Sequence, residues 1–255
     1  MKFLKNSKPV LTAMVQEKTP DGAIDVILNS LYDGADAFGI QLESLEREYR
    51  TPETLKKIFD ACAGRPIYIT SYRNAQSKGM TDDECAELLI EGLEAGADLA
   101  DVPGDYFCPV SYQLTSDERA IEKQMKLIEK IHSMGKEVLM SSHLNAFFPK
   151  DEVVKFAKEQ IRRGADISKI VSMANTREQL IEDILIAEEL KNTLGAPFLL
   201  LAGGKYCRLL RQIGPAFGVC MYLCVQQYKH GNTKTQPILR AAKAIRDNMC
   251  LFTED

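Results

Sequence analysis

Three short segments of the chain resemble one another and recur at a regular spacing. Each reads Gly-Ala-Asp followed by apolar residues, and their glycines are Gly34, Gly96 and Gly164. Each glycine follows an amphipathic stretch, which favours the position just after a helix, with a strand beginning in the apolar residues. The glycines are 62 and 68 residues apart. This is about twice the roughly 32 residues that one of eight βα units would occupy here, so the spacing predicts an eight-unit repeat.

Eight apolar runs, each followed by a helical pattern, supply the strands of such a repeat. These runs begin at Pro9, Ala35, Arg65, Ala97, Lys136, Ala165, Ala196 and Phe217. Short apolar strands that alternate with helices are typical of a parallel sheet buried on both faces. No long Gly/Ser/Pro linker interrupts the series. We therefore predict an α/β fold in which residues 1–255 form a single (β/α)8 TIM barrel with a parallel eight-stranded sheet.

Two helix starts can be read directly from the sequence. Thr51 precedes Pro52 and an acidic first turn, and Thr81 precedes a run of acidic residues. Threonine is a good N-cap, proline fits the first helical position, and acidic side chains favour the positive end of the helix dipole. Both threonines are predicted to cap helices.

Charge and composition narrow the class of partner. The chain has 32 Lys and Arg against 36 Asp and Glu, a net charge of -4, which provides no basic surface for nucleic acid. No apolar run is long enough to span a membrane, and the first residues have no signal-peptide core. The seven cysteines are scattered without metal-ligand spacing, so we expect reduced thiols. A cytoplasmic protein with a small-molecule partner, and neither nucleic acid nor membrane, is predicted.

In barrels of this type the catalytic groups lie at the carboxyl ends of the strands. Few polar residues have that position here. His143 ends strand five, Lys169 lies within strand six, Arg73 follows strand three, and Arg208 and Arg211 lie between strands seven and eight. These side chains come from different strands but would meet at one end of the barrel.

Lys169 allows two interpretations. Burying an ammonium group is costly unless it is paired, so the lysine either pairs with a carboxylate or reaches the barrel rim. Alternatively, burial favours the neutral amine, which can attack a carbonyl and form a Schiff base. In the second case, replacement of Lys169 by methionine is expected to leave the fold intact.

His143 also allows two interpretations. It is either a core histidine with its hydrogen bonds satisfied or, being on the strand next to that of Lys169, a general acid and base. The other two histidines, His132 and His230, are predicted to lie on the surface.

From about Ala35 onward, and most strongly from Ser141 to Gln236, the chain resembles the type I 3-dehydroquinate dehydratases, Schiff-base (β/α)8 enzymes of the shikimate pathway. Ser-Ser-His at 141–143 is similar to the family's Ser-x-His motif, and Gly-Ala-Asp-Ile-Ser-Lys-Ile at 164–170 is similar to its lysine-bearing strand. The resemblance implies that Lys169 forms the imine and that His143 transfers protons. It further implies that Arg211 binds the substrate carboxylate, with Gln236 on a lid loop and Arg73 at the end of strand three as further substrate ligands.

The chain departs from the family pattern at several positions. After strand two the family usually has Glu-x-Arg-x-Asp, where this chain has Gly39, Gln41 and Glu43. The carboxylate that usually orients the histidine falls on Ser77. The lid serine falls near Asn232 or Thr233, and no N-terminal hairpin of the kind that often closes the barrel floor is recognisable. Gln41, Glu43, Asn232 and Thr233 are the expected substitutes for the lost substrate contacts.

The resemblance implies a lyase that dehydrates 3-dehydroquinate to 3-dehydroshikimate in aromatic amino acid biosynthesis, with no cofactor and no metal. A homodimer is possible. Two alternatives stay open: a class I aldolase or dehydratase that uses Lys169 and His143 on another hydroxy-carbonyl compound, and a non-catalytic paralogue that binds a metabolite. The altered residues after strand two favour the first alternative, and the intact Lys169 and His143 argue against the second.

Overall fold

The eight predicted strands form one parallel sheet. A computed structural model of the 255-residue chain describes residues 3–4, 8–230 and 234–249. The strands of the described residues are β1 Val10–Val15, β2 Ala37–Gln41, β3 Ile67–Thr70, β4 Leu99–Pro103, β5 Glu137–His143, β6 Ile167–Met173, β7 Phe198–Gly203 and β8 Met221–Cys224. Each lies within or at the edge of a predicted apolar run. The (β/α)8 barrel is confirmed.

The sheet closes on itself with one weak seam. Strands β1 to β7 pair in chain order, and β8 pairs with β1. Between β7 and β8 the described residues form no ladder but only an isolated bridge, Phe198 to Val219. Strand β8 begins four residues later than predicted because Phe217 lies in the 3₁₀ turn Gly214–Phe217, which Gly218 ends at a φ of 97°.

Helices follow the strands and cover the outside of the barrel. In the described residues they are α1 Pro20–Tyr32, α2 Pro52–Asp60, α3 Asp82–Glu94, α4 Glu118–Ser133, α5 Lys150–Arg162, α6 Arg177–Thr193, α7 Cys207–Ile213 and α8 Leu239–Asn248. None of the helices in this part of the chain is long and apolar enough to cross a membrane. The α7 helix is the shortest, and it is followed by the turn at the seam.

The local signals at the helix ends are confirmed. The Thr51 hydroxyl accepts from the backbone N–H of Thr54, and Thr81 forms a reciprocal capping box with Glu84. Gly34, Gly96 and Gly164 all adopt positive φ angles, between 91° and 130°, where an L side chain would be strained. The repeated glycine therefore ends each helix and directs the chain into the following strand.

Phe3 closes the amino-terminal end of the barrel. It is 2% exposed, its ring meets Tyr68 edge-on at a centroid distance of 6.4 Å, and its backbone N–H donates to the Glu137 carboxylate at 3.2 Å. The floor is thus filled by one aromatic side chain from the N-terminal segment.

The six cysteines of the described residues are free thiols, four of them buried; Cys250 lies outside the described residues.

Candidate active site

A large cavity lies at the carboxyl end of the barrel. Its volume is about 930 Å³, and its wall contains Gln41, Glu43, Tyr72, Arg73, Gln113 and His143. These residues end or follow strands β2 to β5, as expected for the catalytic face of a barrel. The cavity wall also includes the ion pair of Glu17 and Lys229, and the side chain of His230.

Lys169 lies inside the barrel and is fully engaged. It is 4% exposed, and its Nζ donates to Asp101 Oδ2 at 2.8 Å, Tyr72 Oη at 2.7 Å and Tyr68 Oη at 3.0 Å. An ammonium group has three hydrogens, so these three partners satisfy it completely. The geometry matches the carboxylate-paired alternative left open by the sequence.

Asp101 on β4 is the counter-charge. Its side chain has no exposed surface and also accepts hydrogen bonds from the hydroxyls of Ser141, Tyr68 and Tyr72. Burial alone would raise the pKa of this carboxyl, but the Lys169 ammonium and the hydroxyl donors outweigh burial and hold the pKa below its ordinary value. A carboxylate and an ammonium therefore face each other within the barrel.

His143 ends β5, adjacent to β6, with Ser141 in register with Lys169. Its Nδ1 lies 2.6 Å from Gln113 Oε1, and its ring meets the Tyr72 ring edge-on at a centroid distance of 5.4 Å. Burial, followed by repulsion from the Lys169 charge, lowers the pKa of His143 to about 4. The imidazole is therefore neutral near pH 7.

Arg211 lies on α7 with 8% of its surface exposed. Its Nε donates to the Ala202 carbonyl at 2.8 Å, and no carboxylate of the described residues forms an ion pair with its guanidinium. Burial lowers the pKa of Arg211 to about 10, and its charge in turn contributes to the lowered pKa of His143. A buried cation without a counter-charge is suited to an anionic ligand.

Arg73 has protein partners for most of its donors. Its guanidinium forms an ion pair with Asp82, donates to Asp105 Oδ1 at 3.0 Å, and donates to the Asp105 carbonyl at 2.9 Å. It still contributes to the cavity wall. Its position is fixed by these two carboxylates.

Of the altered residues, Gly39 and Gln41 lie within β2, and Glu43 follows it. A Cβ atom built at Gly39 would lie 2.3 Å from the sulfur of Met14, so the space of a longer side chain is occupied. Gln41 and Glu43 line the cavity, with Gln41 Oε1 3.5 Å from the Ser44 hydroxyl. Glu43 is 2% exposed and accepts from Thr70 Oγ1 at 2.8 Å; burial raises its pKa to about 7.

The remaining sequence candidates have different outcomes. Gln236 is 6% exposed, and its Oε1 has no hydrogen-bond partner among the described residues. Ser77 is buried and accepts from Arg50 Nη1 at 3.0 Å. Asn232 and Thr233 lie outside the described residues. In the part of the chain that the structure describes, no group of three His, Cys, Asp or Glu side chains could hold a metal ion.

Four polar residues of the site were not among the sequence candidates: Asp101, Tyr68, Tyr72 and Gln113. Asp101 carries the same signal that identifies Lys169, an ionisable residue within an apolar strand. The tyrosines resemble ordinary core aromatics in the sequence. Gln113 lies in an irregular loop without a motif, so no sequence signal points to it.

Comparison with known proteins gives consistent matches. The family model described as type I 3-dehydroquinase matches residues 13–248. The 3-dehydroquinate dehydratase of Methanosarcina acetivorans is 26% identical over 224 residues, which cover 85% of this chain and 84% of that protein. The crystal structure of the 3-dehydroquinate dehydratase from Geobacillus kaustophilus has a TM-score of 0.81 at 17% identity, covering 96% of this chain and 92% of that chain.

A crystal structure of the type I 3-dehydroquinate dehydratase from Clostridium difficile, covalently modified by comenic acid, has a TM-score of 0.79 at 16% identity. It covers 96% of this chain and 93% of that chain. At these identities the solved structures establish the shared barrel.

Proposed function

Because the chain belongs to the type I 3-dehydroquinase family, we propose that it dehydrates 3-dehydroquinate to 3-dehydroshikimate through an imine on Lys169. The observation that carries the proposal is the buried Lys169 on β6, one strand from His143 on β5. We further propose that the protein acts in the shikimate pathway, which leads to the aromatic amino acids, and that it does so in the cytoplasm.

Imine formation joins Lys169 Nζ to the carbon of the substrate ketone. One ammonium hydrogen is lost before the attack, because only the neutral amine has the lone pair that attacks the carbonyl carbon. Overall, two of the three ammonium hydrogens leave with the ketone oxygen as water, and the third stays on the protonated imine nitrogen. The site therefore carries one positive charge before and after this step, and Asp101 Oδ2, 2.8 Å from Nζ, can pair with both forms. The protonated imine withdraws electrons and acidifies the neighbouring C–H bond.

His143 then transfers the protons of the elimination. Its neutral imidazole removes the acidified proton, the electron pair forms the new carbon–carbon double bond, and the β-hydroxyl leaves with a proton returned by the imidazolium. Hydrolysis of the imine releases the enone and restores Lys169. The low pKa of His143, about 4, favours the neutral base and makes the imidazolium a strong acid for the departing hydroxyl.

Arg211 is the proposed ligand of the substrate carboxylate. A guanidinium offers two parallel hydrogen bonds to a carboxylate, and this one is buried without a counter-charge among the described residues. Gln41, Glu43, Arg73 and Gln236, together with Asn232 and Thr233, are the proposed partners of the substrate hydroxyls.

A second candidate keeps the same two catalytic residues but takes another hydroxy-carbonyl substrate, as a class I aldolase would. The observation that favours it is at Gly39, where Met14 fills the space of the family's acidic side chain. A substrate hydroxyl left buried without a partner would lose about 1 to 3 kcal/mol of binding free energy.

Trapping with borohydride tests the imine and identifies the substrate. The protein is incubated with 3-dehydroquinate and sodium borohydride, digested, and weighed by mass spectrometry. We expect one reduced ligand on the peptide that contains Lys169. Lys205→Met, which removes a lysine that follows β7, should trap equally well, whereas Lys169→Arg should not trap.

The outcomes separate the two candidates. An adduct on another lysine, or no adduct with any ketone, would overturn the imine mechanism. An adduct on Lys169 with an open-chain hydroxyketone, without dehydration of 3-dehydroquinate, would replace the dehydratase by the aldolase-like enzyme.

A further inference from the structure

The imidazole of His143 is held by an amide rather than by a carboxylate. We propose that Gln113 is the positioning residue of His143, keeping its Nδ1 protonated and its Nε2 lone pair free as the base. This inference rests on the proposed function of His143 and adds a residue from the loop between β4 and α4. At the position where the family usually has the carboxylate that orients the histidine, this chain has Ser77. The Ser77 hydroxyl accepts a hydrogen bond from Arg50 Nη1 at 3.0 Å instead.

The backbone of His143 determines which end of the Gln113 amide faces the ring. The backbone N–H of His143 donates to Gln113 Oε1 at 3.0 Å, and the same oxygen lies 2.6 Å from Nδ1. A backbone N–H is always a donor, so the atom that receives it must be the amide oxygen. An amide oxygen only accepts, and therefore Nδ1 must carry the hydrogen. The neutral ring then has its lone pair on Nε2.

The backbone of Gln113 is held in an unusual conformation. Its φ is 50°, in the left-handed region that a residue with a side chain rarely adopts. The Gln113 carbonyl accepts from the Ser142 hydroxyl at 2.7 Å, and its N–H donates to the Val110 carbonyl at 3.2 Å. Strain of this kind persists only where the surroundings fix it, and it concentrates at functional sites.

The loop that carries Gln113 is anchored from the outer helices. The Arg163 guanidinium, 3% exposed, donates to the carbonyls of Gly104 at 3.0 Å and Thr115 at 2.6 Å. Gln124 on α4 also donates to the Gly104 carbonyl, at 3.1 Å. A Cβ atom at Gly104 would lie 2.7 Å from the Gln113 carbonyl oxygen, so the close approach requires glycine. The backbone of the loop on either side of Gln113 is thus held by protein contacts.

The charged groups around His143 do not stabilise its imidazolium as a carboxylate hydrogen-bonded to Nδ1 would. Lys169 on β6 and Arg211 on α7 disfavour the imidazolium, and Asp101 on β4 favours it. The Tyr72 ring packs edge-on, and the pKa of its hydroxyl is raised well above the ordinary value by burial, so Tyr72 stays neutral. An amide oxygen is a weaker partner for the imidazolium than a carboxylate. The arrangement favours a neutral base over a broad pH range.

Nitrogen NMR of the imidazole tests the tautomer without any substrate. The protein has three histidines, and in uniformly 15N-histidine-labelled protein the His143 resonances are assigned by their loss in His143→Gln. We expect a single tautomer protonated at Nδ1 in the wild type. In Gln113→Met, which keeps the side-chain length but removes the acceptor, Nδ1 should lose its proton in a large fraction of molecules.

Kinetics then test the consequence for turnover. Gln113→Met should lower kcat by about 10- to 100-fold with little change in KM, the size expected when a catalytic group is misplaced. Gln113→Glu should restore the tautomer and shift the acid limb of kcat/KM to higher pH by at least about one unit, because a carboxylate stabilises the imidazolium. Gln76→Met is the matched control, since Gln76 also lines the cavity but has no contact with His143 among the described residues.

The tautomer measurement and the dehydration assay test different claims, so either claim can be overturned without the other. A wild-type ring protonated at Nε2, or a Gln113→Met protein with an unchanged tautomer, would overturn the role of Gln113. A wild type with the expected tautomer but no dehydration of 3-dehydroquinate would instead overturn the proposed substrate and leave the positioning role standing.

Discussion

At the scale of single residues, the ion pair of Lys169 and Asp101 changes what the lysine contributes to folding. Considered alone, a buried lysine lowers the free energy of unfolding, so its replacement by an apolar residue would not destabilise the protein. Asp101 has no exposed surface and relies on the ammonium for its charge balance. Removing one member of a buried pair leaves the other uncompensated, which is more costly than removing both.

Lys169→Met should therefore lower the free energy of unfolding by about 3 kcal/mol at pH 8. Without the ammonium, burial would raise the pKa of Asp101 above its unfolded value, so this loss should shrink as the pH is lowered. Urea denaturation at pH 5 and pH 8 measures both effects. Lys169→Met with Asp101→Asn should recover most of the loss; equal stability of the single and double variants would contradict the prediction.

The lowered pKa of His143 predicts the acid side of the pH profile. Protonation of Nε2 would remove the proposed base, and in the folded protein this occurs near the pKa of about 4. We expect kcat/KM to stay level down to about pH 5 and to fall below it, with circular dichroism confirming that the protein remains folded. An acid limb near the ordinary histidine value, about 6.5, would show that His143 is more easily protonated than its burial implies.

The same residues explain how much of the site could be predicted. Lys169 and His143 stand out in the sequence because both are polar residues of apolar strands. Lys169 lies within its strand, and His143 is the last residue of its strand. Asp101 has that signal too, but a single sequence does not tell which ionisable residues of different strands meet. The Gln113 contact depends on a left-handed backbone in a loop anchored by Arg163, and neither feature is encoded in a short motif.

At the scale of elements, the repeated βα units were predictable because their signals are local. A glycine after α1, α3 and α5 and a threonine before α2 and α3 act within a few residues. The late start of β8 was missed because Phe217 is apolar and therefore reads as a strand residue. In the structure it belongs to a 3₁₀ turn that ends at Gly218. What the sequence did not reveal is how helices and strands pair buried polar groups across the layers.

Asp183 is a buried polar residue on α6, on the side that faces Ser172 of β6. It has no exposed surface, and neither carboxylate oxygen has a hydrogen-bond partner among the described residues, although the Ser172 hydroxyl is near. Burial raises the pKa of Asp183 to about 7 from its ordinary value of 3.8. A group with a raised pKa stabilises the folded state at low pH, and this stabilisation is lost as the pH rises through the folded value.

Asp183→Leu should accordingly stabilise the protein at pH 8 by as much as about 4 kcal/mol, and the gain should shrink as the pH is lowered from about 7 toward 4. Urea denaturation across this range provides the measurement, with Glu182→Gln as the neighbouring control. A gain that does not depend on pH would mean that Asp183 is not protonated in the folded protein.

At the scale of the whole molecule, the barrel is closed at its floor by Phe3 and along its wall by a short seam between β7 and β8. The floor is filled by Phe3, which contacts Tyr68, and the Tyr68 hydroxyl lies 3.0 Å from Lys169 Nζ. A single side chain, Tyr68, therefore lies between Phe3 and the proposed nucleophile. Along the wall, β7 and β8 meet through the Phe198 to Val219 bridge and the hydrogen bond from Cys220 N–H to the Phe198 carbonyl, at 2.9 Å.

Phe3→Ala should lower the free energy of unfolding by about 3 kcal/mol, since truncation of a buried aromatic leaves a cavity. The loss should be visible in urea denaturation at neutral pH. Leu28→Ala, on the outer face of α1 where the side chain is 54% exposed, should cost far less. Equal losses in the two variants would mean that Phe3 does not seal the floor.

The guanidinium of Arg211 is buried without a carboxylate partner among the described residues, so we expect it to lower the stability of the ligand-free protein. Thermodynamic linkage then requires any carboxylate that neutralises it to raise the melting temperature, and a ligand at 100 times its dissociation constant adds about 2.7 kcal/mol. Differential scanning calorimetry with a series of cyclic hydroxy acids and their methyl esters should rank the acids above the uncharged esters. In Arg211→Met the ranking should vanish while the ligand-free protein melts at a higher temperature, so the charge proposed to bind the substrate carboxylate would also limit the heat tolerance of the unliganded protein.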